Sequence, residues 1–218
     1  GVTIHPSGKY VYVVNSGDGI SNGNIAMFTP SGGMGARSLA ALNTYNTTSN
    51  TVAAGVSPYN IAFEPSGRFG YVTNKGSGTV SAYRVCQFTN ITQPSPCTAG
   101  TLTAIGTPVL VEASNSNPVQ ISADKTSVYV LAASGKVYQF TISTSPGSEG
   151  TLTANSTAYV DSGAGSVGLV LTGPSPSFAL TINSSQLLAN SISASGLGSS
   201  FTGVNTGKTT GVAVGAYR

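Results

Sequence analysis

The stretch His5-Pro6-Ser7-Gly8-Lys9-Tyr10-Val11-Tyr12-Val13-Val14-Asn15 returns 59 residues later as Glu64-Pro65-Ser66-Gly67-Arg68-Phe69-Gly70-Tyr71-Val72-Thr73-Asn74. A degraded third copy runs Ala123-Asp124-Lys125-Thr126-Ser127-Val128-Tyr129-Val130-Leu131, and a fainter fourth is Phe178-Ala179-Leu180-Thr181-Ile182-Asn183. Repetition at this spacing marks a chain built from similar supersecondary units, none of which buries its apolar surface alone.

Each copy sits inside the same grammar. An apolar segment (Val2 to Ile4, Tyr59 to Phe63, Val119 to Ile121, Val167 to Leu171) leads through a turn into the Tyr-Val strand or its degenerate equivalent. A third alternating strand follows over Ile25 to Phe28, Val80 to Val85, Val137 to Ile142 and Leu187 to Ile192. A more polar fourth is expected over Leu39 to Leu42, Leu102 to Ile105, Leu152 to Ala154 and Phe201 to Val204. Period-two alternation bounded by Gly, Ser, Asn and Pro is the strand signature, and no stretch sustains a 3.6-residue period. The chain is therefore expected to be all-β, a β-propeller of four-stranded antiparallel blades with about four units at 1–55, 56–114, 115–163 and 164–218.

Tyr71-Val72-Thr73-Asn74 reads YVTN, Tyr12-Val13-Val14-Asn15 is its near copy, and Pro-Ser-Gly precedes both, with Ser57-Pro58 ahead of the second. On these residues the chain resembles the YVTN and lactonase-like β-propeller family. The resemblance implies a propeller, often of seven blades, in secreted, periplasmic or surface-layer proteins and in some lactone-processing enzymes. Seven blades of this length would need roughly 350 residues. With about four units here, and Gly211 to Val214 reading as the opening strand of another, the chain is expected to be part of a larger propeller or to assemble with itself or a protein partner.

Composition narrows the setting. Only 7% of the 218 residues are charged, yet 57 are Ser or Thr and 28 are Gly, so solubility rests on hydroxyls, amides and backbone rather than on ions. No apolar run approaches the ~18 residues of a membrane-spanning helix. A net charge of +3 from nine scattered cations offers no basic stripe, which argues against nucleic acid. Cys86 and Cys97 bracket a Gly-free segment and are expected to form a disulfide, which favours an oxidising, extracytoplasmic compartment (periplasmic, secreted or cell surface). The opening Gly1-Val2-Thr3-Ile4 has neither a basic region nor an apolar signal core, so processing or truncation is expected.

The inventory for chemistry is thin: one His, six carboxylates and few arginines. No metal site is expected, because two Cys and a distant His5 cannot complete a zinc shell. Asp18 with its Asn and Ser neighbours falls short of a calcium loop. No cofactor is called for either, since Gly32-Gly33-Met34-Gly35 lacks the Lys-Ser/Thr of a phosphate loop.

His5 and Glu64 occupy the same repeat position before Pro-Ser-Gly, where a turn role is the ordinary reading. If the protein is an enzyme, they and Arg68 are the catalytic candidates for a lactone hydrolase or isomerase, because they open equivalent turns at one end of the blades. Glu112, a lone acid, reads as a solvated strand end. Tyr12, Tyr71 and Tyr129 recur in every clear unit and so read as packing residues. The non-equivalent Tyr45, Tyr59 and Tyr159 are the candidates for binding a carbohydrate or small molecule. Three functions follow: a non-catalytic binding, surface or assembly module as the first reading, a lactonase-like enzyme as its alternative, and a carbohydrate-binding propeller as the third.

Overall fold

The computed structural model describes residues 1–31, 38–88, 96–111, 118–155, 159–163, 165–172, 178–183, 186–193 and 196–205, with backbone only for 119, 196 and 199–205. Glu112, the Gly32 to Gly35 stretch and the Gly211 to Val214 segment lie outside these residues. The described residues contain strands, turns and no helix, hence no helix long and apolar enough to cross a membrane.

Four antiparallel sheets follow one another along the chain. The first blade comprises β1 (Val2–Ile4), β2 (Val11–Asn15), β3 (Asn22–Ser31), β4 (Ser38–Ala41) and β5 (Thr51–Val56). The second holds β6 (Pro58–Phe63), β7 (Phe69–Asn74), β8 (Thr79–Val85) and β9 (Leu102–Leu110). The third holds β10 (Pro118–Ala123), β11 (Ser127–Ala132), β12 (Lys136–Ile142), β13 (Leu152–Ala154) and β14 (Val160–Asp161). The fourth holds β15 (Gly168–Leu171), β16 (Phe178–Ile182), β17 (Gln186–Ser193) and β18 (Gly196–Asn205). First strands of successive blades are neighbours, β1 beside β6, β6 beside β10 and β10 beside β15, which is the inner edge of a propeller.

Register makes the units superimposable. Thr3 pairs with Tyr12, Ala62 with Tyr71 and Ser122 with Tyr129, so the repeated tyrosines stand at one position. Counting from them, Leu39, Leu102, Leu152 and Leu197 are equivalent on the fourth strands, facing Pro30, Val85, Ile142 and Ile192 of the third. One departure from the expected pattern is that the outer strand is split in two blades. Both β4 and β5 pair with β3, and both β13 and β14 pair with β12. The break in the first blade is a turn in which Thr44 N–H donates to Ser49 O and Asn46 takes φ 58°, a conformation Asn tolerates.

Blades bury their faces against each other. Tyr12, Val14, Ile25 and Met27 of the first pack on Ile61, Val72, Tyr83 and Val85 of the second. Tyr71, Val80 and Ala82 of the second pack on Ile121, Val128, Val130 and Phe140 of the third. Tyr129, Leu131 and Val137 of the third pack on Leu169, Leu171, Ala179 and Leu197 of the fourth. A fully buried aliphatic side chain contributes about 1.5–3 kcal/mol, so these three contacts carry the fold.

The tyrosines do more than fill space. Tyr12 Oη–H donates to Gly100 O at 2.6 Å, and Tyr71 Oη–H to Gly150 O at 3.1 Å, each reaching a turn of the next blade. Two residues earlier in each strand, Tyr10 and Phe69 lie over the same glycines, where a Cβ would come within 2.4 and 2.2 Å of the ring. Gly100 and Gly150 also take φ +87° and +83°, which only glycine adopts readily. Among the described residues the third junction shows no such latch. Ser127 replaces the aromatic, and Tyr129 Oη–H turns back to Asp124 Oδ2 at 3.1 Å. There the link is Leu197 N–H to Gln139 Oε1 at 2.9 Å.

Cys86 and Cys97 are disulfide-bonded with Cα atoms 6.1 Å apart. The bond closes the loop between β8 and β9 and, in the chain-entropy picture, stabilises the fold by roughly 3 kcal/mol.

Candidate functional site

His5, Glu64 and Asp124 each follow the first strand of a blade, and each is buried in the turn it opens. Ser7 N–H donates to His5 Nδ1 at 3.1 Å with Ser7 Oγ 2.8 Å away, while Nε2 lies 2.8 Å from Gly67 O. Nδ1 accepting from a backbone amide fixes the tautomer, so Nε2–H donates across to the second blade's turn. The Glu64 carboxylate accepts from Ser66 N–H and Oγ–H at 2.7 and 2.6 Å and from Arg68 and Phe69 N–H at 2.7 and 3.2 Å. Asp124 Oδ1 accepts from Thr126 and Ser127 N–H, both at 2.7 Å. Every ring nitrogen and carboxylate oxygen of these residues has a partner inside the protein.

The tyrosine candidates lie on three different blades. Tyr45 is in the turn between β4 and β5, at the outer side of the first blade, and Tyr159 leads into β14 at the outer side of the third. Tyr59 is on the inner strand of the second. It is half-exposed, with Lys75 Nζ 5.3 Å from its ring centroid, and Lys136 Nζ stands 4.3 Å from the ring of Tyr159. Tyr59 is the second residue of β6 and Glu64 follows its end, about 16 Å apart at the rise of a strand. On the second blade's inner strand the catalytic candidate Glu64 and the aromatic candidate Tyr59 therefore lie at opposite ends. Beside Tyr59, Asn60 Nδ2–H donates to Gln120 Oε1 at 2.7 Å, joining the inner strands of the second and third blades.

Arg68, by contrast, borders a cleft. Together with Arg84, Gln87, Phe88 and Glu149 it lines a space of about 380 Å³ walled on one side by the Cys86–Cys97 disulfide. The Arg68 and Arg84 guanidinium carbons stand 5.1 and 5.9 Å from the Phe69 ring centroid, so one ring gathers both cations. Arg84 Nη2 meets Glu149 Oε2 at 3.2 Å. Glu149 precedes Gly150, the glycine latched by Tyr71 and Phe69, so the repeated strand of the second blade positions the acid of the third.

Two arguments separate this cluster from scaffolding. Half-exposed ion pairs contribute about 0–1 kcal/mol, so stability gives it little reason to exist. It also occurs once. The places of Arg68, Arg84 and Glu149 at the first junction are held by Lys9, Thr29 and Ala99, and Thr126 and Thr141 stand for the two arginines at the third. A feature that served the blade would recur with it, as the tyrosines do. Sequence reading had singled out Arg68 but not its partners, since Arg84 and Glu149 are 65 residues apart. Comparing the repeats position by position is the signal that finds them.

A second groove of about 410 Å³ lies between the first and second blades, among Ala54, Gly55, Ala82, Tyr83 and Ile105. It holds no ionisable group but the Tyr83 phenol, whose proton is given to Ala53 O at 2.8 Å. Among the described residues no cluster of three His, Cys, Asp or Glu could hold a metal ion.

No protein-family model matches the sequence, and no curated protein does. Solved structures do. A provisionally assigned 6-phosphogluconolactonase from Bacteroides fragilis superimposes with a TM-score of 0.73 at 21% identity, over 95% of this chain and 55% of its own. The periplasmic gluconolactonase of Pseudomonas aeruginosa gives 0.61 at 20% identity, over 95% and 54%. A functionally unknown protein from Desulfotomaculum acetoxidans gives 0.63 at 13% identity, over 94% and 54%. The chain spans about half the length of these neighbours and has the fold of the lactonase-like β-propellers.

Proposed function

We propose that the protein is a lactonase-like hydrolase of a sugar lactone, with the cleft of Arg68, Arg84 and Glu149 as its site. The observation that carries the reading is the convergence of a partly exposed carboxylate and two guanidinium groups in one cleft, on a fold shared with proteins named as gluconolactonases. Opening a lactone requires a base to take a proton from water and a cation or donor to hold the charge that grows on the carbonyl oxygen. Glu149 suits the first task, Arg84 and Arg68 the second, and a cleft of this size holds a monosaccharide. His5, Glu64 and Asp124 hold turns, their polar atoms being already engaged. The disulfide and the periplasmic neighbour support an extracytoplasmic setting.

Acid release from glucono-δ-lactone, followed by pH-stat above the spontaneous rate, tests the reading. Glu149→Gln is expected to lower kcat at least about 100-fold and Arg68→Ala to lower it about 100-fold, whereas Lys9→Ala, the equivalent cation of the first blade, leaves it unchanged. Wild-type rates in Glu149→Gln, or no rate above background in the parent, would end the proposal. A second reading, a carbohydrate-binding propeller without turnover, is favoured by the engagement of His5 and Glu64 in turns. Calorimetric binding of an aldonic acid with no hydrolysis would select it.

A further inference from the structure

We infer that the junction between the third and fourth blades holds an ordered water, bound by the Thr181 hydroxyl and the Asn190 side-chain carbonyl. Thr181 lies on β16 and Asn190 on β17, and both are fully buried. Among the described residues, Thr181 Oγ1 and Asn190 Oδ1 are the buried side-chain polar atoms without a hydrogen-bond partner. Buried polar groups left over by the protein's own pairing are what internal waters satisfy.

Strand register puts the two on one face. Leu169 pairs with Thr181 and Ala179 with Asn190, and Ala179 and Thr181, two residues apart in one strand, point the same way. That is the face which Leu169, Leu171 and Ala179 bury against Tyr129, Leu131 and Val137 of the third blade. Thr181 stands opposite Leu188, so Asn190 is its diagonal neighbour at about 7–8 Å. At that spacing one water, with a hydrogen bond of about 2.8 Å on either side, spans the gap between two short side chains. It accepts the Thr181 hydroxyl proton and donates one of its own to Asn190 Oδ1, which meets the minimum of two partners for a buried water.

The repeats show what makes the place for it. Thr181 stands where Val72 and Val130 stand, by the pairings Ile61–Val72, Ile121–Val130 and Leu169–Thr181. Asn190 stands where Tyr83 and Phe140 stand, by the pairings Gly70–Tyr83, Val128–Phe140 and Ala179–Asn190. At the first and second junctions these positions are valine and an aromatic ring, packed against the preceding blade. At the third, valine has become its hydroxyl-bearing near-isostere and the ring a shorter amide, which supplies both the polar atoms and the space. The opposite surface changes as well. Gln139 holds the position of Met27 and Ala82, since Tyr12, Tyr71 and Tyr129 pair with these three residues. Its side chain takes part of the space, but its own groups are spent elsewhere. Nε2–H donates to Ser127 Oγ at 3.0 Å and to Tyr129 Oη at 3.4 Å, and Oε1 accepts from Leu197 N–H at 2.9 Å. Asn190 Nδ2–H donates to Ala179 O at 3.4 Å, which leaves Oδ1 for the water.

Oxygen-17 relaxation dispersion of the solvent, which counts waters held inside a protein, tests this. The Thr181→Val/Asn190→Leu double variant is expected to lose about one such water relative to the parent chain. Thr181→Ser keeps the hydroxyl and should lose none, with far-UV circular dichroism alike in all three. Should the double variant fail to fold, the parent chain carries the test through nuclear Overhauser contacts with water. Cross peaks from water to the Asn190 side-chain amide protons and the Thr181 methyl are expected, and Thr181→Val, close to the parent in shape, should remove those at Asn190. Equal dispersion in the parent and a folded double variant, or a parent spectrum without these cross peaks, would overturn the inference.

Discussion

Gly150→Ala is expected to destabilise the protein by about 3 kcal/mol, the sum of roughly 1–2 kcal/mol for a left-handed residue bearing a Cβ and 1–3 kcal/mol for overpacking. The new Cβ would sit 2.2 Å from Phe69 Cδ1, and φ at this position is +83°. The ring cannot simply rotate away, because it is buried and flanked by the Arg68 and Arg84 guanidiniums. For a chain of this size the loss corresponds to a fall in Tm of about 10 °C. Gly147→Ala provides the comparison. Its φ is +85° but nothing lies within 4 Å of a Cβ, so it should cost only the backbone share, about 1 kcal/mol. Urea unfolding of the two variants separates clash from backbone strain, and equal losses would mean that Phe69 does not pack on Gly150. Because Glu149 is the preceding residue, Gly150→Ala should also raise KM for the lactone.

Alkali should unfold the protein steeply. Burial pushes the phenols of Tyr12, Tyr71, Tyr83 and Tyr129 well above their ordinary range, with the Glu64 carboxylate adding to the effect at Tyr71 and the Asp124 carboxylate at Tyr129. The unfolded chain loses these protons near pH 10 while the folded chain keeps them, so above that pH the folded state binds more protons and stability falls as pH rises. The contribution is fully present below about pH 10. Each tyrosine adds a slope of up to about 1.4 kcal/mol per pH unit, and four together up to about 5.5 kcal/mol per unit. Urea midpoints should therefore be flat from pH 8 to 9.5 and collapse between pH 10.5 and 11.5. Tyr71→Phe should remove about a quarter of that slope. A midpoint that declines no faster than one tyrosine allows would show that these phenols are open to solvent.

Much of the fold was legible because its cause is local and repeated. Val2 to Ile4 coincides with β1, Val80 to Val85 falls within β8, and Leu152 to Ala154 coincides with β13, since alternation over turn-bounded runs is itself what forms a strand. The outer strand was only half legible. Thr51–Val56 follows a turn that reads as the end of a strand, and the pairing of Thr51–Val56 with β3 and of Val160–Asp161 with β12 is set by the tertiary sheet rather than by their own pattern. The turn-opening character of His5 and Glu64 was legible from Pro-Ser-Gly behind them. The hydrogen bond from His5 to Gly67, 62 residues away, was not. Neither was the gathering of Arg84 and Glu149 around Phe69, because it depends on the latch to Gly150 that places one blade's turn over the next blade's strand.

Successive blades latched in equivalent register are the claim on which the rest stands, and a nuclear Overhauser spectrum of the folded chain reads it directly. The account predicts strong cross peaks from the Tyr10 ring to the Gly100 α-protons and from the Phe69 ring to the Gly150 α-protons, with both glycines displaced by the ring current. Absence of either set, or a displaced Gly100 beside an ordinary Gly150, would contradict it.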